Sequence, residues 1–180
     1  MLNYEELIHK AKDCGFTEAG PLDVGTLEFL PEVRDMCAAD RCHAYGKNWA
    51  CPPACGTLDD MREKVKGYHR GILVQTVGQL EDNMDWENMQ KAADDQTKNF
   101  ECLWTELEKD YPQLLAMGAG TCTKCAQCTY LEGKPCRFPK RLMHSMEACG
   151  LFVSKVCTDN HLKYNYGPNT VAYTGCFLLE

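Results

Sequence analysis

Thirteen of the 180 residues are cysteine, and eight of those thirteen fall into two groups. In TCTKCAQCTYLEGKPC, Cys122, Cys125 and Cys128 recur every three residues and Cys136 follows after seven more. A Cys-x2-Cys-x2-Cys run offers three thiolates from seven residues, and a distant fourth can close the coordination. Ferredoxin-type [4Fe-4S] sites are built in this way. Structural zinc sites more often pair two separate Cys-x2-Cys knuckles about one ion. The spacing therefore favours a [4Fe-4S] cluster, with zinc as the alternative and unligated core thiols as the third possibility. Two features depart from the bacterial ferredoxin pattern. The last spacer is seven residues, and Pro135 precedes the fourth cysteine instead of following it. Arg137 and Lys140 flank the group and could offset the negative charge of a thiolate-bound cluster.

The first group, CAADRCHAYGKNWACPPAC, supplies Cys37, Cys42, Cys51 and Cys55. Its Cys-x4-Cys-x8-Cys-x3-Cys spacing is less specific. Pro52 and Pro53 fix φ beside Cys51 and suit a ligand held in a rigid turn. A second cluster is the expectation here, again with zinc as the alternative. If only Cys37, Cys42 and Cys51 bind, one iron stays open to substrate, which is what separates a catalytic metal site from a closed one. Tyr45, Lys47, Asn48 and Trp49 lie between the ligands and could line a pocket or cover the metal from water. His43 is adjacent to Cys42, but a lone histidine is a weak ligand signal.

The motifs taken together resemble a prokaryotic family of cysteine-rich, predicted metal-binding proteins, a domain of unknown function. The resemblance rests on Cys37 and Cys42 before Tyr45-Gly46-Lys47, on Cys51-Pro52-Pro53, and on Cys122, Cys125 and Cys128. It continues through Pro135-Cys136-Arg137-Phe138-Pro139 and Ser145-Met146-Glu147-Ala148. It spans roughly residues 2–179. It implies cysteine-ligated metal and a cell of the anaerobic or methanogenic kind, and it supplies no reaction.

Composition narrows the remaining classes. Net charge is −7, which argues against an electrostatic nucleic-acid surface. The nearest basic cluster, Lys134, Arg137, Lys140 and Arg141, is too small to reverse that. No apolar run approaches the roughly 20 residues of a membrane span. The N-terminal MLNYEELIHKAKDCG has no apolar stretch followed by a small-residue cleavage site, so a cytoplasmic location is expected. An odd cysteine count in such a setting fits a disulfide framework poorly and fits metal well. Cys14, Cys102, Cys149, Cys157 and Cys176 lie outside both groups and read as small buried hydrophobes. There is no Gly-x-Ser-x-Gly, Walker loop, His-Glu-x-x-His or Gly-x-Gly-x-x-Gly.

Several elements must carry these groups. Asn3 and Glu6 resemble a capping box ahead of an amphipathic helix over 4–14. Residues 16–24 read as a weak strand, and residues 34–57 as irregular ligand-bearing loop. Thr57 and Asp60 can cap a helix through Lys66. Gly71–Val77 is the best strand, and residues 84–110 are the best helix. Gln113–Met117 reads as a strand, and Pro139 opens a further helix up to Gly150. Thr170–Leu179 is again β-like. The expected fold is α/β or α+β: a single domain, 1–180, in which helices pack a small sheet of about four strands and two irregular cysteine-rich loops bind metal. Three functions remain open: a two-cluster redox protein serving a redox partner protein, an enzyme acting on a small molecule at an open iron, or a zinc-stapled interaction module.

Overall fold

In the computed structural model, which describes residues 2–180, the chain is mixed α/β around one five-stranded sheet. The helices are α1 (Tyr4–Asp13), α2 (Pro31–Ala38), α3 (Leu58–Val65), α4 (Trp86–Asp110) and α5 (Val153–Asp159). The strands are β1 (Glu18–Asp23), β2 (Arg70–Gln79), β3 (Leu115–Gly118), β4 (His144–Ser145) and β5 (Thr170–Leu178). The order across the sheet is β1-β2-β5-β3-β4. Neighbours are antiparallel except β3 and β4, which run parallel. The strand beyond the expected four is β4, only two residues long.

The apolar run in β2 has a simple cause. Both faces of this strand are covered, so successive side chains all find protein. Ile72 and Val74 face one core with Leu7, Ala11, Phe100, Leu103, Leu107 and Phe177, built on α1 and α4. Leu73 faces the other, with Met61, Met117, Met146, Leu151, Val156 and Leu178, built largely on α3 and α5. Phe100 of α4 stacks on Phe177 of β5 with ring centroids 4.4 Å apart. Cys149, Cys157 and Cys176 are buried in the second core, as small hydrophobes should be.

Three sequence expectations are corrected here. Cys14 and Cys102 are not separate core residues: a disulfide joins them, tying the C-terminal end of α1 to α4 across 88 residues of sequence. Residues 34–57 are not all loop, because α2 runs from Pro31 to Ala38 and carries Cys37. Pro139 opens only a short 3-10 turn, Pro139–Arg141, and the chain then enters β4 instead of a helix up to Gly150. Leu142, Met143 and Met146 have helical spacing, but β3 offers an unpaired edge at Met117 and Gly118, and His144 and Ser145 pair with it. A Cβ at Gly118 would meet the Met143 sulfur, so a larger residue at that edge requires the flexible Met143 side chain to move. No helix among the described residues is long and apolar enough to cross a membrane.

Candidate metal centres

Parallel neighbours such as β3 and β4 require a crossover connection, commonly a helix. Here the connection is residues 119–143, which hold the second cysteine group and two short 3-10 turns, Thr129–Glu132 and Pro139–Arg141. Local hydrogen bonds shape it. Thr129 Oγ1 donates to Pro135 O at 2.9 Å, Lys134 N donates to Thr129 O at 3.1 Å, and Arg137 Nη1 donates to Gln127 O at 2.9 Å. Arg137 therefore serves the loop backbone, with Glu132 3.9 Å away.

Cys122, Cys125, Cys128 and Cys136 all line one hollow of about 20 Å³, with Trp49, Ala50 and Leu142 in its walls. Each is half-buried and none is disulfide-bonded. Phe138 N donates to Cys136 Sγ at 3.4 Å. Burial pushes the Cys122 thiol up, opposed by the backbone N–H groups of Lys124 and Met143 aimed at its sulfur. Such donors suit a thiolate better than a thiol. The hollow has room for about one water-sized group. A four-iron cluster is larger than that and requires this helix-poor loop to move outward.

The first group is more open. Cys37 sits in the last turn of α2, Cys42 in the following turn, and Cys51 in a turn where Cys51 N donates to Asn48 O at 3.4 Å. Asp40 organises the turn, accepting from Tyr45 N at 2.9 Å and from Lys47 Nζ at 3.2 Å. Cys37, Cys42 and Cys51 border a cavity of about 390 Å³, within the range of small-molecule sites. Tyr45 and Glu147 share its wall, and Met36, Phe152 and Tyr164 form an exposed apolar rim. Cys55 does not line it. That residue is 4% exposed, and its Sγ lies 3.7 Å from Ala148 O and 3.9 Å from Gly56 O.

Burial raises the Cys37 thiol most, and Glu147, Cys42 and Cys51 add to this; Arg34 acts in the opposite sense. Glu147 opens onto the cavity, yet surrounding protein pushes its carboxyl above the ordinary range. Arg34 donates from Nη1 to Gly56 O at 2.8 Å, while its Nε and Nη2 are buried without an acceptor. An orphaned guanidinium beside several thiols fits an anionic, thiolate-bound group. Sequence reading gave Arg34 and Glu147 no role. The usable signals were the three-residue step from Arg34 to Cys37 on one helix face, and the Ser145-x-Glu147-Ala148 motif.

The two groups are adjacent. Thr121 Oγ1 accepts from Asn48 Nδ2 at 3.0 Å and lies 3.5 Å from Cys51 Sγ, and the next residue is Cys122. Trp49 donates its indole N–H to Lys134 O at 3.0 Å and packs edge-on against Tyr130. His144 Nδ1 is 3.1 Å from Ala50 O, and since a carbonyl only accepts, that nitrogen carries the proton. The four residues between the first ligands have different roles. Tyr45 faces the cavity, Asn48 and Trp49 wall the second hollow, and Lys47 pairs with Asp40. Among the described residues, no three His, Cys, Asp or Glu side chains converge on one point as ligands of a single ion would.

No curated protein and no solved structure matches the chain. Residues 20–179 match the family described as "Predicted metal-binding protein (DUF2284)", a span that holds both cysteine groups and the Ser145–Ala148 turn. The chain belongs to that family of predicted metal-binding proteins.

Proposed function

We propose that the protein is an iron–sulfur protein holding two [4Fe-4S] clusters and working in electron transfer. Cys122, Cys125, Cys128 and Cys136 would hold one cluster, and Cys37, Cys42 and Cys51, with Cys55 in question, the other. The observation that carries the reading is four half-buried, unbridged cysteines around one hollow, next to a second cysteine group. When bound, a cluster supplies one-electron redox chemistry. The chain does the rest. Backbone N–H groups stabilise the sulfurs, Trp49 and Phe138 cover the second group, and the Asn48–Cys51 segment separates the two groups by a few residues. That closeness suits electron passage between them.

The cavity favours a second reading for the first group. Three thiols border it and Cys55 is turned away, so an iron there would keep a position open toward about 390 Å³ of space. Reductive or lyase chemistry on a small molecule would follow. Cys55→Ser separates the two readings. Unchanged cluster content at the first group leaves three thiolate ligands and favours the enzyme. Loss of that cluster favours the closed carrier. A colourless protein with two zincs after anaerobic purification would overturn both.

A further inference from the structure

Arg34 is a half-buried cation beside the first group, and two of its guanidinium donors are buried and left unused. It lies in α2 three residues before Cys37, so both side chains leave the same face of the helix. Its Nη1 bond to Gly56 O, at 2.8 Å, pins the guanidinium next to Cys55. Nε and Nη2 are buried with no acceptor. A guanidinium does not lose its proton in a protein, and buried donors without partners are destabilising. Its charge acts on the thiols of Cys37, Cys55 and Cys149 and on the His144 imidazole. Neutral thiols are weak acceptors. Metal-bound thiolates are anionic and accept N–H groups well.

We propose that Arg34 is the counter-charge of a thiolate-bound metal centre on the first cysteine group. Its Nε–H and Nη2–H donate to the sulfurs of the loaded centre, while Nη1 stays on Gly56. The role rests on the reading that the first group binds metal. Arg34 acts through the ligands, so it is a positioning and charge-balancing residue.

The test uses the full chain, loaded anaerobically with ferrous iron and sulfide, as wild type, Arg34→Met and Arg34→Lys. Metal release to a chelator is followed for both centres, reduction potentials are read by redox titration, and melting is measured on the metal-free chains. Arg34→Met should weaken metal retention at the first group about 10- to 100-fold, as loss of an outer partner commonly does. The second centre should be unchanged, and the first should become harder to reduce. Arg34→Lys should restore the potential more fully than the retention, because it keeps the charge and loses the fork. The metal-free Arg34→Met chain should melt no lower than wild type, since the orphaned donors are gone. Equal retention and potential in Arg34→Met would overturn the role, as would a melting loss the same with and without metal, the mark of a purely structural tie. If replacing Cys37 and Cys42 by serine leaves wild-type metal content unchanged, the metal reading of the first group falls, and this role falls with it.

Discussion

Cys51 and Cys55 are one helical turn apart in sequence and serve different surroundings. Cys51 borders the cavity and touches Thr121, whereas Cys55 points toward Ala148 O inside the protein. The sequence offered both as ligands, with Cys55 the doubtful fourth, because a spacing does not say which way each sulfur turns. Glu147 illustrates the same limit: its motif was visible, its placement beside three thiols was not. Glu147 is exposed at the cavity, yet desolvation by the protein packed around it raises the folded carboxyl above its unfolded value. The stability tied to the protonated form is full below the ordinary glutamate range and is lost as pH rises toward the raised value. In the metal-free protein, Glu147→Gln should melt like wild type in acid and increasingly above it as pH climbs through that window. Parallel melting curves at all pH values would contradict this placement of the carboxyl.

At the scale of elements, the helices with a side-chain cap were readable and the uncapped ones were not. α1, α3 and α4 carry apolar stripes with side-chain caps at Asn3, Thr57 and Asp85. α2 starts from Leu30 with no side-chain cap and buries only Val33, and α5 starts from Phe152 equally uncapped. Neither gives the window of evidence that a periodic reading needs. The expected helix after Pro139 failed for the opposite reason: its pattern was helical, but pairing with β3 outweighed it. The Cys14–Cys102 link was missed because pairing depends on how α1 lies against α4. Closing so long a loop restrains the unfolded chain. Cys14→Ser should lower the denaturant midpoint, by an amount equivalent to about 2–5 kcal/mol, and leave metal content untouched. An unchanged midpoint in non-reducing buffer would show that the bond contributes nothing.

Across the whole molecule, the sheet is covered on both faces and both cysteine groups gather at its β3–β4 end. The α1–α4 side is apolar packing with its own disulfide. The other end replaces a crossover helix by a loop of cysteines. The class of the fold could be read from the alternation of helices and strands. The meeting of the groups through Asn48, Cys51 and Thr121 could not, since those residues are some seventy positions apart.

The most direct measurement is iron and acid-labile sulfide per chain on anaerobically purified protein, with electron paramagnetic resonance of the reduced form. Two adjacent four-iron clusters predict about eight irons, about eight sulfides and a reduced spectrum broadened by coupling between two centres. Zinc in place of iron, or reduced clusters that give two magnetically isolated signals, would contradict the account.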